Sequence, residues 1–157
     1  MEEYNDISLR LSKLATRSYS TSFSMGVRLL EKPFRMPIYA IYGFVRFADE
    51  IVDTFHGHDQ RGMLAKFREE TFLAIEENVS TNPILQSFQW VVNSYRIDHQ
   101  LIHAFLDSME MDLTVKNHTE ESFKKYVYGS AEVVGLMCLR VFYPDDDRAY
   151  QALIYPA

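Results

Sequence analysis

Apolar residues along this chain recur at steps of three and four and rarely alternate, a pattern that predicts helix after helix. The clearest case is Ile38, Ile41, Val45, Ala48 and Val52, one apolar stripe of a long helix. Pro33 can open that helix, because its fixed φ suits a first turn. Pro37, one turn later, is expected to bend or delay it. The helix should end near Thr54, before the mixed polar run Phe55-His-Gly-His-Asp59. Upstream, residues 5–17 read as a first helix with Ile7, Leu9, Leu11, Leu14 and Ala15 as its apolar material. Residues 19–24, Tyr-Ser-Thr-Ser-Phe-Ser, are rich in hydroxyls and predict a loop or irregular turn. Met25 to Leu30 reads as a short helical turn.

Downstream, helices are predicted over 60–78 (Met63, Phe67, Phe72, Leu73, Ile75) and 83–95 (Ile84, Leu85, Phe88, Val91, Val92). Asp98 is a good N-cap for a helix to about Val115, with Ile102, Phe105, Leu106, Met109 and Leu113 inside. Thr119 caps the next, which carries Glu120 and Glu121 where the dipole favours them and runs to about Phe142. It carries Phe123, Tyr126, Ser130, Val133, Val134 and Met137. Pro144 and Asp145 restart the chain for a last helix from Asp146 to about Tyr155. The fold class expected is all-α, one domain over 1–157. Leu153, Ile154 and Tyr155 stand at its end without a polar tail, which reads as a C-terminally truncated domain.

A second stripe on the long helix changes the picture. Tyr42, Arg46, Asp49 and Asp53 follow steps of four, three and four, so a guanidinium, a phenol and two carboxylates share one face. Two carboxylates one turn apart repel each other unless a cation lies between them. Such an oxygen-rich pair suits Mg²⁺, which takes one or two carboxylates and completes its shell with water and phosphate oxygens. The plainer reading is a solvated acidic helix end.

Composition narrows the classes. Hydrophobic residues make up 47% and aromatic residues 14% of the chain, enough for a core. The formal net charge of -6 argues against a nucleic-acid surface. Cys138 is the one cysteine, so a disulfide framework is excluded and a reducing compartment is the default. The acidic N-terminus shows no signal peptide, and no apolar run is long enough to span a bilayer. These features lead to a cytoplasmic expectation. Asn78 and Asn117 fit a glycosylation pattern that carries no weight without a secretion signal. His56, His58 and Asp59 read as a solvated turn, and Asp145-Asp146-Asp147 as a helix cap.

The motifs resemble the squalene/phytoene synthase family of head-to-head prenyltransferases, most of all a bacterial phytoene synthase, over nearly the whole chain. The matching parts come in order: residues 20–24, Ser-Thr-Ser-Phe-Ser; residues 39–53, ending Arg-Phe-Ala-Asp-Glu-Ile-Val-Asp; residues 111–113, Met-Asp-Leu; residues 126–137, beginning Tyr-Val-Tyr-Gly-Ser; and residues 147–152. The resemblance implies the N-terminal portion of an isoprenoid-synthase fold. It also implies Mg²⁺, with Mn²⁺ as a substitute, and allylic prenyl diphosphates as substrates. Asp49 and Asp53 would be catalytic metal ligands and Tyr126 a catalytic residue beside the reaction centre. Ser20, Ser22, Tyr42, Arg46, Ser130 and Val134 would bind substrate. Phe23, Phe44 and Met137 are further candidates for the wall that shields a carbocation. Gly129, Ser130 and Gly135 fit either a prenyl chain passing by or tight helix packing. Asp112 fits either a salt bridge or a place near the metal. Tyr19 departs from the family, which often has histidine there.

The activity implied is condensation of two geranylgeranyl diphosphates to phytoene. Squalene or dehydrosqualene synthesis from farnesyl diphosphate is one alternative, and a non-catalytic helical domain that associates with another chain is the other. Peripheral association with the inner membrane and self-association through an uncovered face complete the partners implied. The family's second aspartate pair, within Asn-x-x-Arg-Asp, is absent from these residues. The polypeptide by itself is therefore expected to be catalytically incompetent.

Overall fold

The computed structural model describes residues 1–115 and 119–154. Asn117, His118 and the expected helix end at Tyr155 lie outside the described residues. Those described form helices joined by short connections, with no strand among them: α1 (Glu2–Tyr19), α2 (Thr21–Leu29), α3 (Lys32–Asp53), α4 (Gln60–Glu77), α5 (Pro83–Tyr95), α6 (His99–Thr114), α7 (Glu120–Val127), a π turn (Tyr128–Glu132), α8 (Val133–Phe142) and α9 (Asp147–Leu153). Several ends follow directly from side chains. Asn82, Asp98, Thr119 and Asp146 each accept a backbone N–H of the first turn they cap. Arg96 ends α5 at φ 53°, the left-handed conformation common at helix C-termini.

The chain divides into two compact units. The first is Met1–Phe47 with Glu69–Arg96, and the second Ala48–Arg68 with the described part of Ile97–Ala157. In the first unit the core holds Ile38, Tyr39, Ile41, Phe44, Leu85, Phe88 and Val91. The Phe44 and Phe88 rings stack with centroids 3.8 Å apart. In the second it holds Leu64, Ile102, Phe105, Leu106, Met109, Val133, Met137 and Val141. Phe44 and Met137 are therefore core residues and have no surface to offer a carbocation.

The first two helices depart from expectation in two ways. The hydroxyl-rich run 19–24 is no loop. Helix α1 runs to Tyr19, Ser20 alone is extended, and α2 starts at Thr21. The Ser20 hydroxyl accepts the Phe23 N–H at 3.2 Å, so a residue that disfavours a helix interior acts as a cap. The buried stripe of α1 is also not its apolar one. Ser8, Ser12 and Thr16 are fully buried, while Ile7, Leu11 and Leu14 are exposed. Helices α1 and α5 approach closely, and only small side chains fit between them. Ser12 Oγ lies 2.7 Å from Ser87 Oγ, and Thr16 Oγ1 donates to the Ser12 carbonyl. Gly43 lets α3 come equally close to α1, because a Cβ there would lie 3.0 Å from Ser12 Oγ.

Pro37 lies buried inside α3, which continues through it. The expected single helix from Thr119 to Phe142 is interrupted by the π turn.

Candidate functional site

Helix α3 carries the candidate chemistry, and each unit arranges its own part. In the first unit, Arg46 is half-buried and its guanidinium lies over the Tyr19 ring, 4.5 Å from the centroid. Stacking holds the planar fork in place while its N–H donors remain directional, the geometry that suits phosphate oxygens. The Phe23 and Tyr42 rings stack at 4.3 Å and 23°. Ser20 sits at the break before α2, and Ser22 is exposed in the first turn of that helix. The structure thus brings Tyr19 to Arg46 and Phe23 to Tyr42. Sequence reasoning left Tyr19 outside the site, since no periodicity relates residue 19 to residue 46.

In the second unit, Asp49 is half-buried and Asp53 exposed, one turn apart at the C-terminal end of α3. A helix C-terminus is an unfavourable place for two carboxylates. Tyr126 Oη donates to Asp112 Oδ2 at 3.3 Å. Burial, then the Asp112 charge and that hydrogen bond, pushes the Tyr126 phenol above its ordinary range; Asp49 adds to the rise and a hydrogen bond with Ser130 opposes it. Asp49, Asp112, Tyr126 and Ser130 therefore form one local electrostatic group. Val134, one turn beyond Ser130, is half-buried. Asp112, open between two readings in the sequence, is the acceptor for Tyr126.

The π turn positions Ser130. Its neighbour Gly129 packs against α6, where a Cβ would come within 2.5 Å of the Ala104 carbonyl oxygen and 2.8 Å of Ser108 Cβ. Helix packing accounts for Gly129, whereas Gly135 faces open space. Single π turns are rare and concentrate at functional sites.

An expected result follows from the Tyr126 environment. Asp112→Asn removes a negative charge but keeps an acceptor, so Tyr126 should titrate at lower pH while burial still holds it above the ordinary value. Tyrosine ring carbon chemical shifts against pH, with Tyr126→Phe as the assignment reference, measure this. An unchanged titration would contradict the coupling.

Elsewhere the plainer readings hold. Asp59 Oδ1 accepts the Gly62 N–H, and the Asp146 side chain accepts the Ala149 N–H. Asp147 pairs with Arg140 at 2.7 Å. Burial pushes the Cys138 thiol up to about 12, so it is no nucleophile near neutral pH. Among the described residues no group of three or more His, Cys, Asp or Glu side chains is placed to hold a metal ion. The Asp49/Asp53 pair still fits a hard cation that takes two carboxylates and fills its shell with water and phosphate. No described helix is long and apolar enough to cross a membrane.

The sequence profile of the squalene/phytoene synthase family matches residues 16–154. Among curated proteins, the presqualene diphosphate synthase of Rhodopseudomonas palustris is 27% identical over 125 residues, covering 78% of this chain and 44% of that protein. The 4,4'-diapophytoene synthase of Staphylococcus haemolyticus is 27% identical over 142 residues, covering 86% and 48%. The phytoene synthase of Pseudescherichia vulneris is 29% identical over 139 residues, covering 82% and 45%. The chain thus spans less than half the length of these relatives. Among solved structures, a squalene synthase from Alicyclobacillus acidocaldarius superposes with a TM-score of 0.81 at 22% identity, covering 94% of this chain and 56% of that one. A dehydrosqualene synthase in complex with ligand gives 0.79 at 23% identity, covering 92% and 51%. The fold is the N-terminal portion of the all-helical isoprenoid-synthase fold.

Proposed function

The chain belongs to the squalene/phytoene synthase family, and from that premise we propose that residues 1–157 form the diphosphate-binding half of a head-to-head prenyltransferase acting on two geranylgeranyl diphosphates. The observation that carries this reading is the pairing of Asp49 and Asp53 at the end of α3, three and seven residues after a guanidinium stacked on Tyr19.

An allylic diphosphate departs only when its charge is neutralised. Arg46 offers a preorganised fork of donors to diphosphate oxygens. Asp49 and Asp53 are the residues that would hold Mg²⁺, which when bound supplies charge neutralisation at the leaving diphosphate. Ser20 and Ser22 add hydroxyl donors at the start of α2, where a helix N-terminus favours an anion. Tyr126, whose O–H is donated to Asp112, stands close enough to Asp49 to feel its charge. The stacked Phe23 and Tyr42 present aromatic faces that attract a carbocation by roughly 1–2 kcal/mol and exclude water from it.

The C20 assignment is supported by the Ala-Asp-Glu-Ile-Val-Asp form of residues 48–53, and by relatives named phytoene synthase. Relatives named presqualene diphosphate and 4,4'-diapophytoene synthase favour a second reading, a C15 substrate. With one Asp-x-x-x-Asp pair in its sequence, the polypeptide is expected to bind substrate without turning it over.

Titration with unreactive geranylgeranyl and farnesyl thiolodiphosphates, with Mg²⁺ and then with a chelator, tests the proposal. The C20 analogue should bind at least about tenfold more tightly with Mg²⁺ than without, a difference of about 1.4 kcal/mol. It should also bind more tightly than the C15 analogue. Tighter C15 binding would replace the substrate assignment, and metal-independent binding of both would overturn the site. Measurable turnover of geranylgeranyl diphosphate by the 157 residues alone would refute the division of the active site.

A further inference from the structure

The first unit holds a second concentration of charge that the proposed reaction does not use. Lys13, Arg17, Arg28, Lys32 and Arg35, with Met36 and Tyr39, line a cavity of about 520 Å³. Five of the chain's sixteen lysines and arginines meet there although the net charge is -6, and no carboxylate lines the cavity. Lys13 and Arg17 come from α1, Arg28 from the last turn of α2, and Lys32 and Arg35 from the first turn of α3.

Local energetics disfavour this arrangement in the absence of an anion. Lys13 and Arg17 are like charges one turn apart on α1, which repel. Lys32 and Arg35 sit at a helix N-terminus, where the dipole disfavours cations and favours anions. Among the described residues none of the five forms an ion pair with a carboxylate. Two of them are nonetheless held in place. Lys13 Nζ lies 5.9 Å from the centroid of the buried Tyr39 ring, and Arg35 Nε donates to the Leu30 carbonyl at 2.8 Å. The latter bond fixes the guanidinium and leaves its terminal N–H groups for a ligand. Three helices thus converge positive groups on one concave volume of the size of a small-molecule site.

We propose that this cavity is a binding site for a small phosphate-bearing polyanion, of which inorganic diphosphate is the simplest. It shares no lining residue with the Tyr19, Phe23, Tyr42 and Arg46 cluster, and it requires no divalent cation.

The test is calorimetric titration of the chain with sodium diphosphate in a chelator at low ionic strength. Wild-type chain should bind, more weakly as salt rises. The double substitution Arg17→Gln with Arg28→Gln should weaken binding at least about tenfold, or 1.4 kcal/mol. Both side chains are exposed, so the fold should persist, which circular dichroism verifies. The single substitution Lys32→Gln should give a smaller loss. Lys124→Gln with Lys125→Gln removes the same charge from α7 and should leave affinity within about twofold. Equal losses in the two double variants, or no binding by wild type, would overturn the proposal. Sedimentation with phosphatidylcholine vesicles, with and without phosphatidylglycerol, identifies the source of the phosphate. Binding confined to the anionic vesicles and displaced by diphosphate points to a lipid headgroup. Diphosphate binding without vesicle binding points to a free anion. Either outcome supports the site if Arg17→Gln with Arg28→Gln weakens that binding at least about tenfold.

Discussion

Replacing Asp49 and Asp53 together by asparagine is expected to lower Mg²⁺-dependent binding of geranylgeranyl thiolodiphosphate by about 100-fold, or about 2.7 kcal/mol. Asparagine preserves shape and hydrogen bonding at both positions but removes the two charges a hard cation requires. Each single substitution should lose about tenfold, because one carboxylate with water can still ligate Mg²⁺. Binding measured in a chelator should barely change, since Arg46 and the α2 hydroxyls act without metal. Binding lost in Mg²⁺ but retained in the chelator would mark the pair as functional. Unchanged binding would return it to the solvated acidic helix end that its sequence equally allows.

The largest expected effect on stability lies at Phe44. Its ring is fully buried and stacked on Phe88 at 3.8 Å. Phe44→Ala removes the stacking and leaves a cavity in a core that has little means to collapse, at a cost of about 3–5 kcal/mol. Domains of this size have a total stability of about 5–15 kcal/mol. Thermal unfolding should therefore come about 10 °C earlier or more. The comparison is Leu29→Ala, a truncation of an apolar side chain at a residue 89% exposed, which should change stability by less than about 0.5 kcal/mol. Similar shifts for the two would show that the Phe44 ring is not the packing centre of its unit.

Much of the helical framework is legible in the sequence because local chemistry decides it. Pro83, Asp98 and Thr119 mark helix starts by backbone geometry and capping, and α5 runs over the residues that its pattern predicts. The stripe of α3 is legible because four of its five apolar positions are buried, with Val45 half-buried. What periodicity misses is set by neighbours. The inner face of α1 consists of Ser8, Ser12 and Thr16; at Ser12 both α5 and Gly43 of α3 lie too close for leucine, and hydrophobicity cannot report a distance between helices. The π turn at Tyr128–Glu132 arises where Gly129 meets the Ala104 carbonyl, a contact invisible to spacing.

The candidate site divides in the same way. The Arg46, Asp49 and Asp53 stripe follows from one helix's geometry. The Arg46–Tyr19 stacking and the Tyr126–Asp112 hydrogen bond join residues 27 and 14 positions apart, and only the folded chain brings them together. Tyr19 is the instructive case. As a departure from the family's usual histidine it leaves the diphosphate contact at position 19 open, and its ring lies over the guanidinium that the proposed site depends on.

The proposed site stands or falls on whether the α3 carboxylates hold a divalent cation together with a diphosphate. Electron paramagnetic resonance of Mn²⁺, titrated into the chain with and without geranylgeranyl thiolodiphosphate, tests it most directly. The free-ion signal should fall much more steeply with the analogue present, and the added loss should disappear in the chain carrying both Asp49→Asn and Asp53→Asn. Equal Mn²⁺ uptake by the wild-type and doubly substituted chains in the presence of the analogue would contradict it.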